Sequence, residues 1–183
     1  MQDVLVLTRA DFESLPDEGC WEVVEGSAIL MPPPEIPHQR ISARLNRLLD
    51  EKLATLGCGF VVPAVSVFIP RPPGAYGIQT RTPDIIVYQH EPLRYFEAGD
   101  PPDLVIEILS TPRGNVERTE KIDDYALAGI GEYWIVDPFK RAVEIYRLAE
   151  GVYGEPEIIS QGALRPRAFP GLEVEVLEIW PAK

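Results

Sequence analysis

The sequence predicts a single α/β domain in which one mixed β-sheet is flanked by helices. The chain has 183 residues, of which 45% are hydrophobic, and this is enough for one domain with an adequate core. Short apolar runs typical of strands alternate with longer amphipathic segments typical of helices, in the order helix, strands, helix, strands. The chain shows no internal repeat, low-complexity tract or domain linker, so we expect residues 1–183 to form one unit.

The charge, the apolar runs and the cysteines of the sequence indicate which classes of protein it fits. A formal net charge of -12, from 29 acidic and 17 basic residues, argues against a broad basic surface for nucleic acid. It leaves open a local site where divalent cations reverse the sign of the field. The sequence shows no signal peptide and no apolar run long enough to span a membrane, which favours a cytoplasmic protein. In that compartment we expect Cys20 and Cys58 to be reduced, buried thiols. The alternative is a zinc site formed with His38 and His90, although the spacings match no compact motif.

The N-terminal part predicts a short helix, a hairpin and a long helix. Residues 8–14 predict a short helix with Thr8 as its N-cap. Apolar runs at 21–24 and 28–31 flank a Gly-containing turn and predict a β-hairpin, and three prolines then break regular structure. Residues 37–56 have apolar side chains at helical spacing, a proline in the first turn and a glycine at the stop, so they predict the longest helix.

The middle of the chain alternates predicted strands with loops. Residues 60–69 predict one strand or two, interrupted near a central proline. Residues 70–81 are rich in Pro and Gly and predict a loop, which is either a lid or an ordinary connection. Residues 84–88 and 104–109 predict strands on either side of a loop at 90–102. The second of these strands is apolar enough to be buried on both faces.

The C-terminal part predicts one more helix and several strands. Residues 115–128 predict a helix, with Asn115 as N-cap and glycines at its end. Residues 132–136 and 142–148 predict two strands that form a hairpin. Two short apolar runs follow, and residues 170–180 begin with the alternation of a half-exposed strand.

Two acidic residues stand at apolar runs, where ionisable groups are costly. Glu107 lies between Ile106 and Ile108, and an unpaired buried carboxylate is strongly disfavoured, so we expect Glu107 to be functional. Asp84 follows Pro83, where a simple turn residue is the alternative. If the two strands are neighbours, the carboxylates converge, and they repel unless a proton or a cation lies between them. Mg²⁺ favours such a site, where it activates water and stabilises charge on a phosphodiester.

Lys121 is the candidate cation for this chemistry. It lies one turn after Glu117 and one turn before Tyr125 on the predicted helix. A lysine near the carboxylates orients the attacking water or neutralises charge that develops in the transition state. The alternative is a surface ion pair, because Glu117 and Lys121 stand at i and i+4 in the favourable order, which is worth about 0.3–0.5 kcal/mol. Spacing alone leaves both interpretations open.

Other chemistries lack their motifs. The chain contains no GxSxG nucleophile elbow, and neither GxxxxGK[ST] nor GxGxxG, so we expect no serine hydrolase and no nucleotide cofactor. His38 at the start of the long helix is a candidate general base, with a polar cap or surface residue as the alternative.

Taken in order, these motifs resemble those of a known bacterial family. Residues 21–39, WEVVEGSAILMPPPEIPHQ, contain an acidic residue, Glu22, a Gly turn, a Met-Pro stretch and a His-Gln pair. Pro83-Asp84 resembles the PD of the PD-(D/E)XK nuclease superfamily, and PDLVIEILS supplies its second acid, Glu107. EKIDDYALAGIGEYWIVDP at 120–138 carries the lysine. The chain resembles the "putative restriction endonuclease" family of that superfamily, long labelled a domain of unknown function.

Two positions depart from the pattern. The superfamily lysine usually stands two residues after the second acid, where this chain has Leu109. The resemblance therefore implies that the lysine has moved to the following helix, as Lys121. Family members commonly have an aspartate four residues before this lysine, where this chain has Glu117.

The resemblance implies a restriction-endonuclease-like fold and a Mg²⁺- or Mn²⁺-dependent phosphodiester hydrolase that acts on DNA. Asp84, Glu107 and Lys121 are then the catalytic residues, and Asp84, Glu107 and the carbonyl of Ile108 hold the metal. Glu22 is a further candidate, as a third carboxylate. His38 and Gln39 are candidates for contact with the metal's waters or with the substrate. The hairpin and long helix occupy about 1–57, and the nuclease core about 58–148.

The alternative is a catalytically inactive nuclease-fold module within an oligomeric assembly. The net charge of -12 and the lack of a recognisable DNA-reading domain favour it. Retention of both acids and the lysine speaks against it, because a degenerate site has no need of all three. By analogy with enzymes that cut two antiparallel strands, we expect a homodimer.

Overall fold

In the computed structural model of the protein, a central mixed β-sheet is flanked by helices, which confirms the predicted fold class. The structure describes residues 7–16, 18–71, 75, 77–91, 100–111 and 115–181, and the backbone alone for 115–120. The helices are α1 (Arg9–Glu13), α2 (Ile36–Leu56), α3 (Asn115–Leu127) and α4 (Val176–Ile179). The strands are β1 (Cys20–Val24), β2 (Ser27–Met31), β3 (Phe60–Pro63), β4 (Val67–Phe68), β5 (Thr80–Arg81), β6 (Ile85–Tyr88), β7 (Leu104–Ile108), β8 (Glu132–Asp137), β9 (Ala142–Ala149), β10 (Val152–Tyr153), β11 (Glu157–Ile159), β12 (Ala163–Leu164) and β13 (Val174–Glu175).

The main sheet has the strand order β10-β9-β8-β7-β6-β3, and β11 also pairs with β9. Strands β6 and β7 are antiparallel, whereas β7 and β8 are parallel, with helix α3 in the crossover between them. A parallel pair requires such a crossover, because the chain must return to the same end of the sheet. The predicted hairpin of β8 and β9 is confirmed, with Glu132 opposite Arg147 and Asp137 opposite Ala142.

Helices cover both faces of this sheet, and each face has its own core. On one face, α2 packs through Leu45 and Leu49 in a cluster that includes Ile106 and Trp134. On the other face, Tyr125 of α3 joins a second cluster on the sheet. The apolar side chains of β7 are buried in both clusters, as its sequence predicts. No helix of the described residues is both long and apolar enough to cross a membrane.

A smaller antiparallel sheet has the order β2-β1-β5-β4, so the prediction of one sheet is wrong. Among the described residues, the chain passes from β3 in the main sheet to β4 in the small one, and returns from β5 to β6. At this bend Ala64 has a φ of 49°, and its N–H donates to the Asp84 carbonyl at 3.1 Å. Pro83 supplies no N–H, so both ladders are interrupted here, and the two sheets meet beside Asp84.

Most predicted elements are confirmed. Thr8 caps α1, since its hydroxyl accepts from the Asp11 N–H while the Asp11 carboxylate accepts from the Thr8 N–H. The β1–β2 hairpin forms with Val24 opposite Ser27. Helix α2 ends at Gly57, whose φ of 67° is the left-handed C-cap that glycine adopts without strain.

Other predictions are wrong in part. The predicted loop at 70–81 ends in strand β5, while residues 72–74 and 76 and the lid hypothesis lie outside the described part of the chain. The predicted strand at 170–180 is limited to the short β13, because helix α4 follows at once. Cys20 and Cys58 are exposed and not buried. Asn115 is the first residue of α3, and its predicted capping contact falls outside the described residues.

Candidate active site

The two acids meet where the sheets join. Asp84 immediately precedes β6, and Glu107 lies in β7, the antiparallel neighbour of β6. Ile85 is opposite Ile106, so the next positions outward are those of the two acids. Both line a cavity of about 600 Å³ that Lys121 also lines. The structure therefore brings these three predicted residues together, while their catalytic role stays a prediction.

Asp84 is held by the main sheet and by helix α2. Its Oδ2 accepts from the Ile108 backbone N–H at 2.7 Å and lies 3.1 Å from Nε2 of His38. The hydrogen bond with Asp84 raises the pKa of His38, because it favours the charged imidazolium. His38 is buried at the start of α2, so the N-terminal end of the long helix is fixed against the acid of β6.

Glu107 is desolvated but well supplied with donors. Lys121 Nζ donates to its Oε1 at 2.8 Å, and the Tyr125 hydroxyl donates to the same oxygen at 2.7 Å. Burial raises the pKa of Glu107, and the nearby Asp84 raises it further, although Lys121 and Tyr125 act in the opposite direction. Because burial and Asp84 disfavour the charged form of Glu107, a cation that binds beside this carboxylate would stabilise it.

Lys121 lies between two carboxylates. Its Nζ is 2.8 Å from Glu107 Oε1 and 3.4 Å from Glu22 Oε1. Burial alone lowers the pKa of Lys121, but Glu107 and Glu22 outweigh it, so the pKa is raised above its ordinary value. Lys121 is therefore an ammonium ion at neutral pH, buried with 13% of its side chain exposed, and is not a surface residue. The Glu117 side chain, its partner in the competing surface pair, lies outside the described part of the chain.

Glu22 belongs to a buried ion network next to the acids. Its Oε2 accepts from Arg81 at 3.1 Å, and its Oε1 accepts from the Thr82 backbone N–H at 3.1 Å. Arg81 also donates from Nε to Asp124 Oδ2 at 2.6 Å. Both oxygens of Glu22 have donors, so the geometry makes it a counter-ion of Lys121 and Arg81, while its predicted role as a third metal ligand stays a prediction.

The donors that remain fit a hard divalent cation. Asp84 Oδ1 and Glu107 Oε2 accept no hydrogen bond from the part of the chain that the structure describes. Mg²⁺ typically takes one or two carboxylates and completes its shell with water and phosphate oxygens. Within the described ranges no group of three or more His, Cys, Asp or Glu side chains is arranged to hold a metal. A cation here would thus depend on two carboxylates, water and substrate.

The remaining predicted residues are placed as follows. Ile108 lines the cavity, and its backbone N–H holds Asp84. Gln39 is exposed on α2 and also lines the cavity. The described part of the chain gives the Gln39 side chain no hydrogen bond, so its predicted contact with substrate or water stays a prediction.

Sequence reasoning missed part of the site. Arg81 and Asp124 are buried side chains of the network, and the motifs predicted a role for neither of them, although Asp124 lies within the motif at 120–138. A signal for Asp124 exists in retrospect, because Lys121, Asp124 and Tyr125 share one face of a helix at i, i+3 and i+4. Arg81 carries no comparable signal, since it is the last residue of the segment 70–81, which predicts a loop.

Comparison with known proteins identifies the family of the chain. The model of the Uma2 family, described as "Putative restriction endonuclease", matches residues 9–177. The chain belongs to this family. The family's matched region contains every residue of the site, and the family predicted from the sequence motifs is confirmed.

A solved structure supports the fold. The crystal structure of a "putative nuclease belonging to DUF820" from Anabaena variabilis ATCC 29413 is similar to this Uma2 chain with a TM-score of 0.73. The two are 21% identical, and the match covers 95% of this chain and 97% of that chain. This likeness shows that the two proteins share one fold over nearly all of the chain. No curated protein matches the chain.

Proposed function

We propose that the protein is a Mg²⁺- or Mn²⁺-dependent endonuclease that hydrolyses phosphodiester bonds of DNA. The observation that carries the proposal is the meeting of Asp84, Glu107 and Lys121 at one cavity, with one oxygen of each acid lacking a donor from the described chain. The family and the protein of the similar crystal structure are both named for nuclease functions, which supports the same reaction class.

Asp84 and Glu107 would hold the cation, together with the backbone carbonyl of Ile108. A bound divalent cation supplies Lewis-acid chemistry, in that it lowers the pKa of water and stabilises anionic oxygen. The chain's own part is to keep the two carboxylates ionised and oriented. His38 and the Ile108 N–H hold Asp84, while Tyr125 and Lys121 hold Glu107.

Lys121 serves this reaction as a fixed positive charge. Because Glu107 and Glu22 raise its pKa, it does not lose its proton at neutral pH and does not act as the general base. Its ammonium group donates hydrogen bonds to the attacking water and to the phosphate oxygens whose charge increases in the transition state. This is the role that the resemblance implies for the lysine.

The domain organisation and assembly follow from this proposal. Residues of about 58–148 supply the nuclease core, and the hairpin and long helix of about 1–57 contribute Glu22 and His38 to its edge. We propose a homodimer, since a two-fold axis places two sites against the antiparallel strands of a duplex.

Nicking of supercoiled plasmid with Mn²⁺ tests the proposal. We expect the wild type to cleave, Glu107→Gln to be inactive, and Lys121→Ala to be slower by on the order of 10²-fold or more, the usual cost of a lost charge-stabilising donor. Glu173→Gln and Lys140→Ala are matched controls, since both residues are more than half exposed. Equal cleavage by wild type and the two site variants, or none by any, would refute the proposed activity.

Calorimetric titration with Mn²⁺ distinguishes the proposed nuclease from the alternative, a catalytically inactive module. Binding that is lost in Asp84→Asn and Glu107→Gln and kept in Glu173→Gln supports the nuclease. Absence of binding to the wild type supports the module.

A further inference from the structure

In this chain the catalytic lysine is carried by a helix and not by the strand that carries the second acid. Leu109 stands two residues after Glu107, and Lys121 reaches Glu107 from α3. A lysine on the strand would be positioned by the sheet's own backbone hydrogen bonds. A lysine on a separate helix is correctly placed only if that helix is fixed against the sheet, so something must hold α3.

Three side chains on one face of α3 dock at the junction of the sheets. Lys121 and Tyr125 both contact Glu107 of β7. Asp124 lies between them in sequence and points to a different element, since its Oδ2 accepts from Arg81 Nε at 2.6 Å. The helix therefore contacts the main sheet through one pair of residues and β5 of the small sheet through the third.

Arg81 is the centre of this second attachment. Its guanidinium binds Asp124 of α3 and, through Nη1, Glu22 Oε2 of β1 at 3.1 Å. Only 7% of the Arg81 side chain is exposed, and its two partners are similarly buried. The Gln79 side chain extends this attachment. Its Nε2 donates to Oδ1 of Asp124, and its Oε1 accepts from Nη1 of Arg71 at 2.8 Å.

The same guanidinium also affects the balance of charge around Lys121. Glu22 Oε1 lies 3.4 Å from Nζ of Lys121, whereas Glu107 Oε1 lies 2.8 Å away. Arg81 takes the other oxygen of Glu22, which reduces the pull of that acid on the lysine. The ammonium group of Lys121 is thus closer to Glu107, the acid of the proposed metal site, than to Glu22.

We propose that Arg81 is a positioning residue of the nuclease, which clamps helix α3 through Asp124 and restrains Glu22 so that Lys121 is held at Glu107. This inference rests on the proposed function for its catalytic consequence, but its structural content is independent of it. The contacts described for Arg81 are with Asp124, which lies on the helix that carries Lys121, and with Glu22, which lies 3.4 Å from Lys121, so it acts on the lysine through these two acids.

The clamp requires the shape of arginine as well as its charge. A guanidinium has donors fixed in a plane and binds two carboxylates from two sides, whereas an ammonium group is a point charge on a flexible stem. Arg81→Lys keeps the charge among the buried acids and removes the fork. It therefore tests positioning with less risk of unfolding than Arg81→Met, which removes the cation that Glu22 and Asp124 share.

The first experiment observes Lys121 without any need for catalysis. In protein with ¹⁵N-labelled lysine, a buried, salt-bridged NH₃⁺ exchanges slowly with water and gives a resolved signal, which is assigned by its absence from Lys121→Arg. We expect this signal in the wild type and its loss in Arg81→Lys, where a signal of the introduced lysine is identified because it persists in the double variant Arg81→Lys with Lys121→Arg. The control is Arg147→Lys, because Arg147 also lies between two acids, Glu132 and Glu157, but on β9 away from the site.

The second experiment measures cleavage with Mn²⁺ under single-turnover conditions. A misplaced catalytic group typically costs on the order of 10²-fold, so we expect that loss in Arg81→Lys, with Mn²⁺ affinity unchanged and Arg147→Lys equal to wild type. In a Lys121→Met background, Arg81→Lys should cause no further loss, because a residue that acts through the lysine has nothing left to position.

The outcomes separate the two proposals. A retained Lys121 signal in Arg81→Lys, or rate losses that simply multiply in the double variant, would overturn the clamp and leave the nuclease standing. A wild type that does not cleave, with a Lys121 signal that still depends on Arg81, would overturn the nuclease and leave the clamp.

Discussion

The hydrogen bond from Tyr125 to Glu107 provides a sharp test of the charge state of the site. Tyr125 is fully buried, and its hydroxyl is 2.7 Å from Glu107 Oε1. Tyr125→Phe removes only this hydroxyl and keeps the ring, which packs edge-on against Tyr133. The matched control is Tyr153→Phe, because the Tyr153 hydroxyl donates over the same 2.7 Å to a neutral acceptor, the Ile130 carbonyl.

The expected magnitudes differ because the acceptors differ. A hydrogen bond to a charged group contributes about 1.5–3 kcal/mol, and one between neutral groups about 0.5–1.5 kcal/mol. Lys121 remains as a donor to the same Glu107 oxygen, so no acceptor is orphaned. We therefore expect Tyr125→Phe to lower the free energy of unfolding by about 2 kcal/mol near neutral pH, and Tyr153→Phe by about 1 kcal/mol.

The dependence on pH has a definite sign. Burial raises the pKa of Glu107 in the folded protein, so the carboxylate takes up a proton at a higher pH than in the unfolded chain, where the value is about 4.3. As the pH falls through the folded pKa, Glu107 becomes neutral and the Tyr125 bond loses its charge assistance. The cost of Tyr125→Phe should then approach that of Tyr153→Phe.

Urea denaturation followed by circular dichroism at about pH 8 and at a second pH near the unfolded value of about 4.3 measures both effects. The comparison uses metal-free protein, since a bound cation would also hold Glu107 ionised. Equal losses for the two variants at both pH values would refute the reasoning, because they would show that Glu107 is not a charged acceptor in the folded state.

Two further predictions concern stability. The pKa of His38 is raised by its hydrogen bond with Asp84, so the stability that protonated His38 contributes is fully present below the unfolded value of about 6.5 and is lost as the pH rises through the folded value. The unfolding free energy of wild type minus that of His38→Gln should thus shrink from about pH 5.5 to about pH 8.5, and a difference that stays constant over this range would contradict it. Gly57→Ala should lower the free energy of unfolding by about 1 kcal/mol, because Gly57 has a φ of 67°, whereas Gly154→Ala, where φ is not left-handed and the added methyl meets nothing, should be neutral by the same thermal or urea measurement.

Local pattern determined most of the elements. The capping box at Thr8, the turn of the β1–β2 hairpin and the left-handed Gly57 each depend on neighbours within a few residues, so they are legible in the sequence. The local sequence pattern did not predict an element that depends on partners distant in the chain. Strand β5 is two residues long and exists because β1 and β4 pair with it across the fold.

The sequence also identified the acids. Glu107 within an apolar strand implies a partner on energetic grounds alone, and the order of the motifs indicated the family, which is confirmed. The same reasoning could not tell whether Lys121 is a surface residue or part of the site, because the i, i+4 spacing fits both.

Tertiary structure decided that question and the place of Glu22. The packing of α3 on the sheet buries Lys121 against Glu107, and the junction of the two sheets brings Arg81 between Glu22 and Asp124. Glu22 and Arg81 are 59 residues apart in the chain, and Arg81 and Asp124 are 43 apart. The sequence alone determined which side chains need partners, because the cost of burying a charge is local. Only the fold determined which partners they have, because Coulombic and hydrogen-bond energies depend on distances in space that no spacing along the chain encodes.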